Sequence, residues 1–289
     1  MRLRSPLFAP GDSERKAAKA IASAADCVIL DLEDSVAAPA KEAARALTVG
    51  IVTANRGRDL IVRVNPRGTP WYLADLAAIV PTAPGALMLP KCTGPEDLVA
   101  LDHHMEVLEV AAGLPIGGIK VVCLPTETAA SVFNLGRYAQ GHYSGAPRLL
   151  AMCFGAEDIS ADLGVSPRKP DGSYPDAIAW TRGATLAAAG AAGVLALDTP
   201  FPDPRDPDGL LREALAAVAD GFAGKLLIHP DQIAPVNTAF TPDAARIAWA
   251  ETVRDAFAAN PNAGVLSMDG KMLDRPHLRL AERILAMAG

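Results

Sequence analysis

The chain has 289 residues, 50% of them hydrophobic, which allows one main domain with a sizeable core at a length usual for a complete α/β barrel. Its formal net charge is −6, its sequence pI is near 5.4, and it has no long run of Lys and Arg residues. This balance excludes the charge pattern of proteins that bind nucleic acid or anionic lipid, so we expect small-molecule chemistry with neither nucleic acid nor membrane as a partner.

The amino-terminal segment lacks the pattern of a signal peptide, because Pro10, Gly11 and Asp12 end its apolar stretch before a signal-peptide core could form. No apolar run is long enough to span a bilayer. Four widely spaced cysteines without a C-x-x-C pair indicate small buried residues in a reducing compartment rather than zinc ligands or disulfides: Cys27, Cys92, Cys123 and Cys153. We therefore expect a cytoplasmic protein.

In chain order, eight short apolar runs each predict a β-strand: SPLFAP from 5, CVILDLED from 27, LIVRVN from 60, GALMLPK from 85, GIKVVCLPTE from 118, RLLAMCFGAED from 148, GVLALDTP from 193 and KLLIHP from 225. The runs are rich in Val, Ile and Leu without polar alternation. This pattern is typical of strands covered on both faces, as in a parallel sheet with helices outside.

Helix-like stretches separate the runs, and several begin at Ser, Asp or Pro: residues 13–25, 39–55, 94–112, 128–140 and 206–222. Eight strand–helix units of this kind could remain an open sheet or close into a barrel. The number of units and the chain length favour a TIM (β/α)8 barrel with a C-terminal helical extension.

Polar residues stand at the C-terminal ends of the runs, as DLED, RVN, LPK, PTE, GAED, DTP and IHP. In a barrel, that end carries the active site. An open dinucleotide-binding sheet would instead have a glycine-rich turn after its first strand, and APGDSE lacks the G-x-G-x-x-G spacing. The barrel is therefore the preferred interpretation.

The chain continues well beyond the eighth run with a helix, a short strand and turn, and a terminal helix. We predict a catalytic barrel domain over residues 1–238 and an extension over residues 239–289. The Pro- and Asp-rich segment at 201–209 is expected to be a loop of the active face.

Glu127 and Asp158 follow the fifth and sixth runs, and neighbouring strands lie about 5 Å apart, so their carboxylates can converge. Two carboxylates alone would repel each other, and a hard cation such as Mg²⁺ resolves that repulsion. Alternatively, either residue could cap the helix that follows it. Position alone leaves both interpretations open.

Arg63 ends an apolar strand, where a guanidinium is costly to bury unless it meets an anion. It could bind a substrate carboxylate or thioester oxygen, or pair with an acid of a neighbouring strand. Asp31 and Glu33 are expected to share one face, and Asp34 to belong to the turn. His229 could contact a ligand or be a hydrogen-bonded structural residue, and no histidine metal site is predicted from the spacing of the histidines, including His142.

The motifs, taken together and in order, resemble the citrate lyase β-subunit-like (CitE-like) branch of the HpcH/HpaI aldolase and citrate lyase superfamily: SPLFAPGD, VILDLEDSV, VRVN with GTPW, LPK, PTET, FGAEDIS with ADLG, GKLLIHP with VNTAFTP, and DGKMLDRP. The match runs nearly end to end. It implies a (β/α)8 barrel with a C-terminal extension, a homotrimer or hexamer, and bound Mg²⁺.

By this resemblance, Glu127 and Asp158 take the two metal-ligand positions and Arg63 takes that of the substrate-binding arginine. Asp274, expected on a turn between Met272 and Pro276, matches an acid–base aspartate inserted from a neighbouring subunit. The candidate catalytic residues are Arg63, Asp274 and Glu33. The candidate substrate contacts are Arg63, Glu127, Asp31, Pro90 and Lys91, and the candidate metal ligands are Glu127 and Asp158.

The implied reaction is Mg²⁺-dependent cleavage or formation of a carbon–carbon bond in a hydroxy-acid thioester, such as a citryl, malyl or citramalyl group on coenzyme A or an acyl carrier. Arg63 would stabilise the enolate that forms. Where the family often has an aliphatic residue before the metal-binding Glu, this chain has Pro125 and Thr126. A metal-dependent thioesterase on the same barrel is an alternative, whereas the presence of the metal ligands argues against a non-catalytic subunit that only binds an acyl carrier.

Overall fold

The computed structural model describes residues 1–140, 148–268 and 270–288, so His142 lies outside the described residues. The chain divides into two compact units, Met1–Val236 and Asn237–Gly289. Among the described residues, no helix combines the length and the apolar composition needed to cross a membrane.

The first unit is a barrel of eight parallel strands in sequential order, which confirms the predicted fold. The strands are β1 (Pro6–Pro10), β2 (Cys27–Asp31), β3 (Leu60–Arg63), β4 (Ala86–Leu89), β5 (Lys120–Cys123), β6 (Leu149–Cys153), β7 (Leu195–Asp198) and β8 (Gly224–Lys225). A parallel bridge between Leu7 and Leu227 joins the last strand region to the first. The Phe8 N–H donates to the Leu227 carbonyl at 2.8 Å, and this bond helps to close the barrel.

In the described part of the first unit, eight α-helices follow the strands, and a ninth runs across its C-terminal boundary: α1 (Glu14–Ile21), α2 (Lys41–Ala54), α3 (Tyr72–Ile79), α4 (Pro95–Ala111), α5 (Ala129–Val132), α6 (Ala156–Leu163), α7 (Asp176–Ala192), α8 (Pro207–Asp220) and α9 (Ile233–Ala239). The stretch 128–140 differs from the expected single helix. It contains the one-turn α5 and a 3-10 helix over Leu135–Gln140, with Phe133 and Asn134 between them.

The strands are buried on both faces because they lie between two cores. One core fills the barrel interior and includes Ile29, Ile61, Met88, Val122, Cys153 and Leu197. In β2, Val28 and Leu30 flank Ile29 and are equally buried, which places them on the helix side of the sheet. Burial of each such aliphatic side chain contributes about 1.5–3 kcal/mol. The four cysteines are all buried, as expected for core residues.

The second unit has its own core, formed by α10 (Ala244–Ala259) and α11 (Arg275–Ala288) around Phe257 and Ile284. Between these helices, β9 (Val265–Met268) and β10 (Lys271–Asp274) form an antiparallel hairpin rather than the single strand and turn expected from the sequence. Asp274 therefore ends a strand, paired with Val265, and the prediction that it lies on a turn is wrong. The four residues KMLD are too few for a pattern of alternating polar and apolar residues to distinguish a strand from a turn.

Candidate active site

The candidate residues of the barrel meet at its C-terminal mouth. Asp31 and Arg63 end β2 and β3 and face each other in the strand register. The next strands end just before the residues that complete the group: Pro90 and Lys91 after β4, Glu127 after β5 and Asp158 after β6. Strand-end residues of a barrel converge in this way because all its strands are parallel.

Arg63 is held on three sides. Its Nε and Nη2 donate to the two Asp31 oxygens at 2.7 Å each, and its Nη1 lies 3.2 Å from Glu33 Oε2. The guanidinium also lies over the Phe8 ring, 4.7 Å from its centroid. Burial alone would lower the pKa of Arg63, but the hydrogen bonds and charge of Asp31 raise it. The ion pair left open by the sequence is therefore present, and the guanidinium is a fixed cation.

Asp31 orients Arg63 and also holds the loop that follows β2. Its oxygens also accept from the backbone N–H groups of Glu33 at 2.9 Å and Ser35 at 3.1 Å. Burial by itself raises the pKa of Asp31, but its bonds to Arg63 outweigh burial and lower the pKa. Because both oxygens are occupied within the protein, Asp31 is well placed to orient Arg63, and its assignment as a substrate contact stays a prediction.

Glu33 is buried between two cations. Its Oε1 accepts from the Lys91 ammonium, and its Oε2 faces Arg63. Burial raises the pKa of Glu33 more than these two cations lower it. The side chain is therefore a carboxylate whose proton affinity is increased by its position, as expected of a general base.

Glu127 is only 3% exposed and lies close to other acids. Burial first, and the charge of Asp158 second, raise the pKa of Glu127 to about 8. The Lys91 backbone N–H donates to Glu127 Oε2 and offsets part of this effect. A Cβ at Gly155 would lie 3.1 Å from Glu127 Cγ, so the glycine leaves room for this side chain.

Asp158 lies in the first turn of α6, with about a third of its side chain exposed. Neither acid provides a side-chain helix cap, contrary to the alternative interpretation of the sequence. Thr128 caps α5, because its hydroxyl accepts from the Ser131 N–H, and the N-cap of α6 is Gly155. Capping therefore leaves the carboxylates of Glu127 and Asp158 available.

The pair fits a magnesium ion, because Mg²⁺ binds one or two carboxylates and keeps its other positions for water and substrate. The pKa of Glu127 is raised partly by the neighbouring carboxylate of Asp158, and a divalent cation between two such acids would stabilise their charged forms. No group of three or more metal-binding side chains occurs in the described part of the chain. The fit therefore rests on two ligands, and the identity of these ligands stays a prediction.

A basic cleft of about 370 Å³ opens between the C-terminal ends of β1 and the β8 region. Its wall includes three cations of α1, Arg15, Lys16 and Lys19, together with His229. His229 also accepts from the Asp231 N–H at 3.3 Å, as expected for a structural histidine at the start of a 3-10 helix. The cleft therefore offers positive charge next to the mouth.

Asp274 belongs to the second unit. Its Oδ1 lies 2.5 Å from His277 Nδ1, and this hydrogen bond lowers the pKa of Asp274. The assignment of Asp274 to a site in a neighbouring subunit stays a prediction.

Sequence reasoning missed three contributors to the site. Phe8 stacks on Arg63, Lys41 binds the backbone after β2, and Thr126 accepts from the Gly155 N–H at 3.2 Å. Thr126 is one of the two residues at which the chain departs from the family pattern. Lys41 near the start of a predicted helix and the departure from the family pattern at Thr126 were usable signals, but nothing in the sequence marks the contact of Phe8.

Comparisons with known proteins agree with this geometry. A family model described as HpcH/HpaI aldolase/citrate lyase matches residues 4–230. A citrate lyase subunit beta-like protein of Mycobacterium tuberculosis is 39% identical over 285 residues, which cover 98% of this chain and 94% of that protein. The mitochondrial citramalyl-CoA lyase of Rattus norvegicus is 33% identical over 300 residues, covering 99% and 86%.

A (3S)-malyl-CoA thioesterase of Cereibacter sphaeroides is 36% identical over 291 residues, which cover 99% of this chain and 94% of that protein. Among solved structures, CitE from Mycobacterium tuberculosis in complex with magnesium, acetoacetate and coenzyme A has a TM-score of 0.76 and 36% identity, covering 100% of this chain and 98% of that chain.

Proposed function

Because this chain belongs to the HpcH/HpaI aldolase/citrate lyase family, we propose that it is a magnesium-dependent carbon–carbon lyase acting on a hydroxy-acid thioester of coenzyme A. The observation that carries the proposal is the juxtaposition of Glu127 and Asp158 with the fixed guanidinium of Arg63 at the barrel mouth. Glu127 and Asp158 would hold the ion, which acts when bound as a Lewis acid towards the oxygens of the hydroxy acid.

The bond that breaks joins the hydroxyl-bearing carbon to the α-carbon of the thioester. The hydroxyl loses its proton to a base, its carbon becomes a carbonyl, and the electron pair of the broken bond passes to the thioester as an enolate. We assign the base to Glu33, whose pKa is raised by burial. Arg63, already oriented by Asp31, stabilises the negative enolate oxygen without reorganising. A carboxylate such as Asp274 then moves the proton to or from the enolate carbon.

The thioester carrier is best explained as coenzyme A. The nucleotide end of coenzyme A carries several phosphate charges, and Arg15, Lys16 and Lys19 line the basic cleft beside the mouth. None of these cations has an ion-pair partner among the described residues. The solved structure with coenzyme A supports the same carrier. Pro90 and Lys91, directly after β4, remain proposed substrate contacts.

A panel of citryl-, malyl- and citramalyl-CoA tests this function, with product analysis in the presence of Mg²⁺ and after its removal with EDTA. A lyase releases a carbonyl product together with a shorter acyl-CoA. We expect this pair of products from one of the three substrates, and their formation should stop in EDTA. Absence of carbon–carbon cleavage with all three substrates would count against the proposal.

A thioesterase is the second candidate, favoured by the similarity to the (3S)-malyl-CoA thioesterase. In that reaction, water attacks the thioester carbonyl, and the products are the free hydroxy acid and free coenzyme A. The same panel separates the two functions, because free thiol appears in a thioesterase reaction and acyl-CoA in a lyase reaction.

We also propose that the protein is cytoplasmic and acts as a homotrimer or hexamer, in which the extension of one subunit supplies Asp274 to its neighbour. The support is the family resemblance and the compact second unit that carries Asp274. The oligomer would complete a site whose other candidate residues all lie in the barrel unit.

A further inference from the structure

Acidic groups outnumber basic groups at the barrel mouth. The charge of Arg63 balances that of Asp31, which it binds through two hydrogen bonds, and Arg63 also lies 3.2 Å from Glu33 Oε2. The ammonium of Lys41 is directed at backbone carbonyls. Four further acids lie around the same point: Glu33, Asp34, Glu127 and Asp158. Lys91 is the residue that contacts all four of them.

The Lys91 ammonium lies among three of these acids. It donates to Glu33 Oε1, lies 3.3 Å from both oxygens of Asp34, and lies 3.7 Å from Asp158 Oδ1. The fourth acid, Glu127, accepts from the Lys91 backbone N–H. One residue thus uses its backbone for one proposed metal ligand and its side-chain charge for the other.

The backbone conformation of Lys91 is unusual, with φ of +48°. Within the described residues, only Ala83 is another non-glycine residue with positive φ. This conformation is unfavourable for a residue with a Cβ and persists where surrounding contacts enforce it. At Lys91, those contacts are the bond from its backbone N–H to Glu127 and the contacts of its ammonium with Glu33 and Asp34.

We propose that Lys91 is a built-in counter-ion of the metal site: its ammonium balances the acids when no divalent cation is bound, and it competes with that cation for them. The inference rests on the proposed function, because it takes Glu127 and Asp158 as the metal ligands. Its consequence is that the site of the substrate-free protein holds Mg²⁺ weakly. A hydroxy-acid substrate adds a carboxylate of its own, so substrate binding favours binding of Mg²⁺.

The proposal is based on the electrostatic repulsion between the Lys91 ammonium and a bound metal cation. A positive charge within about 4 Å of a ligand oxygen disfavours a second cation there, although exposure to solvent weakens the effect. The Lys91 side chain is 34% exposed, so the effect is reduced but not abolished. Without Lys91, the same acids repel one another in the metal-free protein and bind Mg²⁺ more tightly.

The test measures Mg²⁺ affinity by calorimetry and the melting temperature in EDTA and in Mg²⁺, without substrate. Lys91→Met removes the charge, Lys91→Gly also removes it but favours the positive φ, and Lys91→Arg keeps it. Lys120→Met is the matched control, because Lys120 starts β5 at the opposite end of the barrel. We expect Lys91→Met and Lys91→Gly to bind Mg²⁺ about threefold or more tightly, with a larger Mg²⁺-induced rise in melting temperature.

Parent-like or weaker Mg²⁺ binding in folded Lys91→Met would overturn the inference. If Lys91→Met does not fold, Lys91→Gly decides by the same criterion. Tighter binding in Lys91→Arg or Lys120→Met as well would show that the effect is not due to the charge at this position, which also overturns it. Failure of the parent protein to bind Mg²⁺ would instead contradict the proposed metal-dependent function, so the two failures are distinguishable.

Discussion

At the scale of single residues, the orientation of Arg63 is fixed before a substrate arrives. Asp31 binds two of its nitrogens, and Phe8 covers its plane. A planar guanidinium with fixed hydrogen-bond partners is difficult to replace with an ammonium, even though the charge is the same. The geometry of the cation therefore matters here as much as its charge.

We predict that Arg63→Lys lowers kcat by roughly 10²–10³-fold, the usual effect of removing one oriented donor from a stabilised oxyanion. Steady-state kinetics with the accepted CoA thioester measure this change, and a melting curve checks the fold. Turnover within a factor of two of the parent would show that Arg63 has a structural role only.

Glu127 and Asp158 are expected to act together as ligands, because Mg²⁺ retains several waters and depends on few protein oxygens. We predict that Glu127→Ala and Asp158→Ala each abolish Mg²⁺ binding measured by calorimetry, while both variants remain folded. Glu157→Ala, one residue before Asp158 and exposed in the same helical turn, is the matched control. Normal binding in both ligand variants would place the metal elsewhere.

Gly155 contributes to the site by leaving space for the Glu127 side chain. An added Cβ would lie 3.1 Å from Glu127 Cγ, so this buried side chain has to move by a few tenths of an ångström. We predict that Gly155→Ala weakens Mg²⁺ binding and lowers activity. Gly183→Ala is the control, because a Cβ there meets no atom within 4 Å. Equal Mg²⁺ affinity in the two variants would contradict this prediction.

At the scale of elements, α2 holds the loop that follows β2. The buried Lys41 ammonium donates to the carbonyls of Leu32 and Glu33 at 2.7 Å each and lies 5.3 Å from the centre of the Trp71 ring. These bonds fix the backbone on which the Glu33 side chain stands. Lys41 is thus a positioning residue for Glu33.

Lys41→Met leaves two buried carbonyls without this donor, so we predict a loss of about 1–3 kcal/mol in the free energy of unfolding. The kcat should fall with Glu33 displaced, whereas Mg²⁺ affinity should stay near that of the parent because the proposed ligands lie on other elements. Denaturant unfolding, kinetics and calorimetry measure the three quantities. A variant with reduced stability but parent-like kcat would contradict the positioning role.

The eight strands were predictable from the sequence because a two-sided core requires uninterrupted runs such as VIL in β2. The polar ends of those runs also predicted that Arg63, Lys91, Glu127 and Asp158 lie at the mouth. The positive φ of Lys91 was not predictable, since glycine is the usual residue there. The stacking of Phe8 was not predictable either, because a fully apolar strand gives no sign of which face points inward.

At the scale of the whole molecule, the second unit is built to fold around its own core, with Phe257 and Ile284 between two helices and a hairpin. Asp274 ends that hairpin and is hydrogen-bonded to His277, which lies in the first turn of α11. The acid therefore belongs to a compact unit that is separate from the barrel unit and its other candidate residues. This organisation motivates the proposal that the extension acts in trans.

The test mixes Asp274→Ala and Arg63→Ala chains, each inactive alone, under conditions that allow subunit exchange. In a mixed oligomer, a site becomes complete where the barrel comes from the Asp274→Ala chain and the extension from the Arg63→Ala chain. Random 1:1 mixing should then restore about one quarter of the parent activity, because both conditions must hold at one site. Mass spectrometry of differently tagged chains establishes that exchange has occurred. If exchange is complete and no activity returns, Asp274 does not act on a neighbouring subunit, since the same mixture contains every group that the trans arrangement requires.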